Sequence, residues 1–230
     1  MTVMLRTRGL AKSFTLHLRG GMRMPVLAGI DLTVHAGECI VLSGPSGTGK
    51  STLMRSLYGN YQADGGAIEV RHHGGMIDIA SADPRTILAV RRDTLGYVSQ
   101  FLRVVPRVPA LDVVAEVLHD RDRDTARATA RELLLRLNIP PRLHAIPPAT
   151  FSGGEQQRVN LARGFIAGHP ILLLDEPTAS LDAANRAVVV DMAHRAKANG
   201  TAIVAICHDA DVRDAIADRL FEMTPYQEAA

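Results

Sequence analysis

The stretch CIVLSGPSGTGKSTLMRSLYG, from Cys39 to Gly59, decides the fold of this chain of 230 residues. Its first five residues form an apolar run, which is typical of a strand buried on both faces in a parallel sheet. The residues after Lys50 place their apolar side chains on one face of a helix that ends at Gly59. Between them, Gly44–Ser51 fits the pattern GxxxxGK[ST], whose backbone N–H groups surround phosphate groups. The stretch therefore predicts a strand, a phosphate-binding loop and a helix, the opening of an α/β fold.

The loop residues predict contacts with a nucleoside triphosphate. Lys50 is predicted to reach the β- and γ-phosphate oxygens, and the hydroxyl of Ser51 to ligate Mg²⁺. Lys50 is one of only three lysines among 26 basic residues, and a slim ammonium fits where a planar guanidinium would crowd the phosphates. The predicted nucleotide-binding residues of this stretch are Gly44, Pro45, Ser46, Gly47, Thr48, Gly49, Lys50, Ser51 and Thr52.

Further strands are predicted on both sides of this stretch. Short apolar runs at Gly96–Ser99, Ile171–Leu174 and Ala202–Cys207 are typical of the same buried parallel sheet. Polar and apolar residues alternate at Ile30–Val34 and Ala67–Arg71, which predicts an antiparallel patch of half-buried strands near the N-terminus. The fold class is therefore α/β, with a mixed or parallel sheet at its core.

The segment Phe101–Thr150 predicts a helical insertion, because it lacks apolar strands, contains several prolines and places its apolar residues at helical spacing. One helix is expected from about Thr125 to Leu137 and a second, after the insertion, from about Glu155 to Ala167. The chain is interpreted as a single domain over residues 1–230. Its nucleotide-binding core comprises residues 1–100 and 169–230, and its helical subdomain comprises residues 101–168.

Polar side chains end three of the predicted parallel strands. Asp175 and Glu176 follow the apolar run ILLL, and ligands of open α/β sheets bind beyond the carboxyl ends of the strands. Asp175 suits an outer partner of Mg²⁺, and Glu176 suits a base that polarises the water attacking the γ-phosphate. Gln100 and His208 end two other strands, so all four side chains are expected at one edge of the sheet.

Composition and charge exclude several classes of protein. The formal net charge is +2, which offers no strong basic field for nucleic acid. No apolar run reaches the length of about 18 residues needed to cross a bilayer, so no direct membrane insertion is expected. With two cysteines and no secretory-type apolar segment, the expected location is the cytoplasm.

The segment TFSGGEQQRV, from Thr150 to Val159, follows the insertion and precedes Asp175 by about one helix and one loop. With the phosphate loop, Gln100, the run ILLLDE, the turn Ala179–Asp182 and His208, it resembles the signature of ATP-binding-cassette (ABC) ATPases in order and over nearly the whole chain. The resemblance implies an ATPase that uses ATP and Mg²⁺. It adds Phe14 as the aromatic ring that stacks on adenine and Gln100 as a further contact of Mg²⁺.

In the family that this chain resembles, two cassettes close on each other's ATP. The resemblance implies that the second cassette is another copy of this chain or a sister protein, and that His208 holds the γ-phosphate and the attacking water. Hydrolysis would then separate the two cassettes. The resemblance also implies that the N–H groups of the signature meet the γ-phosphate held by the partner and that Asp182 communicates across the dimer. The residues that act in trans are Ser152, Gly153, Gly154, Glu155 and Asp182.

Within that family, the stretches Met54–Tyr61, Val98–Val114 and Phe151–Ile166 resemble cassette subunits of the bacterial carbon–phosphorus lyase system for phosphonates. This resemblance implies soluble lyase core subunits as partners and a complex that forms ribose 1-phosphonate 5-triphosphate from ATP and a phosphonate. The same motifs also fit an alternative, the nucleotide-binding subunit of a transporter of the lipoprotein-release or macrolide-export type. A membrane permease would then be the partner.

Overall fold

The computed structural model describes residues 1–16, 21–102 and 106–225. Within these residues the chain forms two sheets and a set of helices. The strands are β1 (Val3–Leu16), β2 (Met22–His35), β3 (Cys39–Ser43), β4 (Gly65–His72), β5 (Gly75–Asp78), β6 (Leu95–Val98), β7 (Ile171–Asp175), β8 (Ala202–Ile206) and β9 (Arg219–Glu222). The helices are α1 (Lys50–Leu57), α2 (Pro84–Asp93), α3 (Ala110–Ala115), α4 (Arg123–Arg136), α5 (Pro141–His144), α6 (Gly153–Phe165), α7 (Ala183–Ala198) and α8 (Ala210–Ile216).

The central sheet has the strand order β6-β7-β8-β3-β9, and all its described pairings are parallel. The predicted apolar strands are all present, and β3 spans the predicted residues. Every residue of β7 is buried, with Leu172 and Leu174 in one apolar cluster and Ile171 and Leu173 in the other. A strand covered on both faces must be apolar at every position, which explains the uninterrupted run.

The N-terminal antiparallel patch is confirmed as a sheet of order β2-β1-β4-β5. It packs with α1 against one face of the central sheet, whereas α3, α4, α6 and α7 contribute to the cluster on the opposite face. In β2, the side chains of Leu32 and Val34 are buried and those of Asp31 and Thr33 are more exposed, as the alternation predicts. The core therefore consists of two apolar layers separated by the parallel sheet.

Helices α4 and α6 each begin two residues before the position that apolar spacing predicts. The side chain of Asp122 accepts a hydrogen bond from the backbone of Thr125, so α4 begins at Arg123. Ser152 and Glu155 form a capping box, which starts α6 at Gly153. Residues 103–105 of the segment Phe101–Val114 lie outside the described residues. In the described ranges, no helix is both long and apolar enough to cross a membrane.

Candidate active site

The phosphate loop joins β3 to α1 and leaves the first turn of α1 open. Gly49 precedes the helix in a left-handed conformation (φ 91°), and no side chain caps the first turn, which also lacks acidic residues. The ammonium of Lys50 donates hydrogen bonds to the carbonyls of Gly44 (2.7 Å) and Pro45 (2.8 Å). The N-terminal N–H groups of α1 and this ammonium form a positive lining that suits an anion.

Two glycines of the loop are required by their surroundings. A Cβ atom on Gly44 (φ 132°) would overlap the backbone carbonyl of Met223, and one on Gly49 would lie 3.0 Å from atoms of Val26 and Leu27. Gly47 (φ 84°) faces open space within 4 Å. The loop thus packs tightly against the protein on one side and stays open on the other, which fits a bound triphosphate.

Glu176 lies at the centre of the predicted catalytic group. Its Oε2 accepts a hydrogen bond from Nε2 of Gln100 (3.2 Å), and its Oε1 lies 2.9 Å from Nε2 of His208. The structure therefore brings together the three polar residues that end β6, β7 and β8. Glu176 has φ 53° although Pro177 follows it, and a residue before proline normally adopts an extended backbone. Strain of this kind is concentrated at functional sites.

Asp175 is buried directly before Glu176. Burial raises the pKa of its carboxyl group, and the hydrogen bond from Tyr97 opposes this increase. The phenolic hydroxyl of Tyr97 donates to Oδ2 (2.9 Å). Oxygen atoms of Asp175, Gln100 and Ser51 are the hard donors that Mg²⁺ prefers. Because the amide nitrogen of Gln100 is engaged with Glu176, its carbonyl oxygen is left for a cation, so these residues fit the predicted magnesium site.

Helix α6 holds the loops that follow β6 and β7 through two side chains that the sequence patterns did not indicate. Nε2 of Gln157 donates to the carbonyl of Pro177 (3.0 Å), and Nδ2 of Asn160 donates to the carbonyl of Ser99 (2.6 Å). Both side chains are buried and lie three residues apart on one helix face. Polar residues on the buried face of a predicted helix are the signal that would have identified them.

Phe14 contacts the ring of Tyr61 edge to face, with centroids 5.2 Å apart, and the ammonium of Lys12 lies 5.5 Å from its centroid. Phe14 is partly exposed on β1. The nitrogen of Lys12 also donates a hydrogen bond to Asp64. Strand β1 and the ammonium of Lys12 therefore both help to position the ring of Phe14. A partly exposed aromatic ring suits the predicted stacking on a base.

The signature segment and the phosphate loop are not hydrogen-bonded to each other. In the described part of the chain, no hydrogen bond joins Ser152–Glu155 to Gly44–Thr52. Ser152 and Gly153 are exposed, and Asp182 is also exposed while its side chain caps α7 by accepting from Asn185. The structure therefore brings Gln100, Glu176 and His208 together, but within the described residues it shows no hydrogen bond between the signature and the loop.

These features define an ATP-binding cassette. A family profile described as ABC transporter matches residues 27–179, and the chain belongs to this family. Family members bind ATP with Mg²⁺ as the usual cofactor, and the chain is an ABC ATPase. Its cassette fold is shared with the cassette MJ0796 in a dimeric, post-hydrolysis state bound to ADP and Pi, at a TM-score of 0.87 and 26% identity over 96% of this chain and 94% of that one.

Two curated relatives carry names that refer to transport. The lipoprotein-releasing system ATP-binding protein LolD of Novosphingobium aromaticivorans is 36% identical over 215 residues, which cover 89% of both chains. The macrolide export ATP-binding/permease protein MacB of Salmonella typhimurium is 32% identical over 225 residues, which cover 97% of this chain and 33% of MacB. The chain thus spans about a third of the length of the MacB relatives that it matches.

Proposed function

We propose that this chain is a nucleotide-binding subunit that hydrolyses ATP in an assembly of two cassettes. The observation that carries the proposal is the carboxylate of Glu176, which lies between Gln100 and His208 at the strand ends of a sheet that also bears the phosphate loop. This arrangement supplies a base, an orienting amide and an imidazole around one point, as hydrolysis of a γ-phosphate requires.

In the proposed reaction, Glu176 accepts a proton from the attacking water while the water oxygen bonds to the γ-phosphorus. The bond from that phosphorus to the bridging β-phosphate oxygen breaks, and ADP and phosphate leave. Lys50 neutralises charge on the β- and γ-phosphates. His208 contacts Glu176 and also holds the γ-phosphate and the attacking water. The carboxylate of Glu176 positions Gln100 through their hydrogen bond.

The second cassette completes each site. Ser152 and Gly153 are exposed and make no hydrogen bond to this chain's own phosphate loop in the described residues. In the proposed dimer, the N–H groups at the start of α6 meet the γ-phosphate bound by the partner, and Asp182 lies at the same interface. The dimeric state of the related MJ0796 cassette supports this arrangement.

The proposed partner of the two cassettes is a membrane permease of the lipoprotein-release or macrolide-export type. The support is the identity to LolD and MacB over most of this chain. The carbon–phosphorus lyase role is the second candidate, since no relative described above names that system. What favours it is the resemblance of Val98–Val114, a segment that contains the exposed ring of Phe101.

The partner is tested by affinity purification of the chain from cells that contain both sets of candidate partners. Stoichiometric recovery of a permease supports the transporter reading. Recovery of lyase subunits, with lost growth on methylphosphonate and retained phosphonate uptake after deletion of the gene, supports the second candidate.

The hydrolysis itself is tested by replacing the proposed base. Glu176→Gln keeps the size of the side chain but removes the proton acceptor, so we expect turnover to fall at least about a hundredfold, with ATP binding retained and an ATP-bound dimer accumulating. Steady-state phosphate release, nucleotide binding and size-exclusion chromatography measure the three quantities.

Lys50→Ala is the contrasting variant, because loss of the ammonium weakens nucleotide binding itself. Undiminished turnover by Glu176→Gln would refute its assignment as the base. Unchanged ATP affinity in Lys50→Ala would refute the phosphate contact.

A further inference from the structure

Tyr97 contacts the predicted magnesium-binding carboxylate from the neighbouring strand. Tyr97 lies in β6, where it pairs with Leu173 of β7. Its hydroxyl donates a hydrogen bond to Oδ2 of Asp175 (2.9 Å). Asp175 is only 4% exposed, so the carboxylate has little access to water. Oδ2 therefore accepts a hydrogen bond from the protein, whereas Oδ1 has no hydrogen bond within the described residues.

The ring of Tyr97 is itself held in place. It packs against the ring of Tyr58 in a tilted arrangement, with centroids 4.9 Å apart and an interplanar angle of 35°. The guanidinium of Arg91 lies over the ring of Tyr58, 4.5 Å from its centroid, and Nε of Arg91 donates to the carbonyl of Tyr58 (2.9 Å). The packed rings and this cation leave the phenol little freedom to turn away from Asp175.

The chemistry of the two groups gives the direction of this hydrogen bond. A phenol carries a single proton, and a carboxylate oxygen without a proton can only accept. The hydroxyl of Tyr97 therefore donates its proton to Oδ2 of Asp175.

We infer that Tyr97 is a positioning residue for the metal site: it fixes Oδ2 of Asp175 so that Oδ1 is presented to the Mg²⁺ of the bound nucleotide. This inference rests on the proposed function, because it requires that a metal–nucleotide complex binds there. Tyr97 touches neither the nucleotide nor the metal. Its effect is expected in the metal dependence of binding and not in binding of the phosphates by the loop.

The test compares Tyr97→Phe with Tyr58→Phe. The first removes the hydroxyl that is hydrogen-bonded to Asp175, and the second removes the hydroxyl of the neighbouring ring, which packs against Tyr97. Both keep the aromatic packing, which thermal unfolding checks. Titration calorimetry measures the affinity for a non-hydrolysable ATP analogue in Mg²⁺ and in EDTA, and the ratio of the two affinities reports the coupling between metal and nucleotide.

We expect the wild-type protein and Tyr58→Phe to gain affinity equally from Mg²⁺. In Tyr97→Phe, the affinity for the analogue measured in EDTA should equal that of the wild type. The increase in affinity caused by Mg²⁺ should be about tenfold smaller, as expected for loss of a hydrogen bond to a charged group. An unchanged gain in Tyr97→Phe, or an equal loss in Mg²⁺ and EDTA, overturns the inference while the proposed function stands. A wild-type protein that binds no analogue overturns the proposed function and this inference with it.

Discussion

At the scale of the residue, Asp64 shows how one carboxylate organises a strand pair. Its Oδ1 accepts from the ammonium of Lys12 (3.0 Å), and its Oδ2 accepts from the backbone N–H of Ser13 (2.7 Å) and from Arg23 (3.3 Å). The hydrogen bond from Lys12, with further help from Ser13, lowers the pKa of Asp64 to about 2, against an opposing effect of burial. These bonds lie next to Phe14 and fix the strands that carry it.

The lowered pKa of Asp64 predicts how stability depends on pH. The unfolded chain has an aspartate pKa of about 3.9, so the stabilisation is fully present above that pH and is lost as the pH falls towards 2. Asp64→Asn should therefore lower the unfolding temperature at pH 7, and the difference from the wild type should shrink between pH 4 and pH 2.

Thermal unfolding followed by circular dichroism from pH 7 to pH 2 measures this difference. The exposed Asp120 provides the control, and Asp120→Asn should show no comparable narrowing. A difference between Asp64→Asn and the wild type that is constant over the whole range would contradict the assignment.

At the scale of the element, α6 links the signature to the core. Its N-terminus carries the exposed capping box of Ser152 and Glu155, and its buried face holds the loops after β6 and β7 through Gln157 and Asn160. Near its C-terminal end, Gly164 packs directly on Val98 of β6. One helix therefore connects a surface proposed to face the partner with the loops that position Gln100 and Glu176.

The close approach of α6 to β6 predicts that Gly164→Ala is destabilising. Alanine is the better helix former by about 1 kcal/mol, but its Cβ atom would overlap the branched side chain of Val98. Overpacking of this kind costs about 1–3 kcal/mol, so we expect a net loss of stability and lower turnover, because β6 leads into Gln100.

Urea unfolding and steady-state ATPase assays measure the two effects. Gly65→Ala is the matched control, since its Cβ atom would meet only the Cβ of Ala11, at 3.9 Å. Equal stability of Gly164→Ala and the wild type would contradict the packing argument.

At the scale of the whole molecule, the proposed site is divided between two surfaces of the chain. The phosphate loop and Glu176 follow strands of the central sheet at the edge where those strands end, whereas Ser152 and Gly153 are exposed at the start of α6. A symmetric dimer in which each loop meets the partner's signature would form two composite sites. The chain alone would then bind nucleotide but hydrolyse it slowly.

Mixed dimers test this composite arrangement. Lys50→Ala removes a loop contact, and Ser152→Arg blocks the signature, so each variant alone should be inactive. When equal amounts are mixed, half of the dimers are heterodimers, each with one intact site, and the ATPase rate should recover to about a quarter of the wild-type rate. Single-subunit sites would give no recovery, because every chain in the mixture carries a defect.

The fold and much of the candidate site follow from sequence patterns of short range. An apolar strand, a glycine-rich loop and an amphipathic helix are contiguous at Cys39–Leu57, and each is specified by neighbouring residues. Because parallel strands place their carboxyl ends at one edge, the sequence also predicts that Gln100, Glu176 and His208 lie together. Apolar spacing predicts the starts of α4 and α6 two residues late, because the capping side chains of Asp122 and Ser152 determine where these helices begin.

Only the tertiary structure decided the contacts that give this site its geometry. The left-handed backbone of Glu176, the bond from Gln157 to the carbonyl of Pro177 and the bond from Tyr97 to Asp175 depend on elements packed together in three dimensions. The last of these joins residues 78 positions apart. Periodicity and local propensity report which face of an element is buried, but they carry no information on which distant polar group a side chain meets there. The sequence by itself therefore determined which chemical groups are available to this protein, and tertiary packing decided which atoms hold those groups in place.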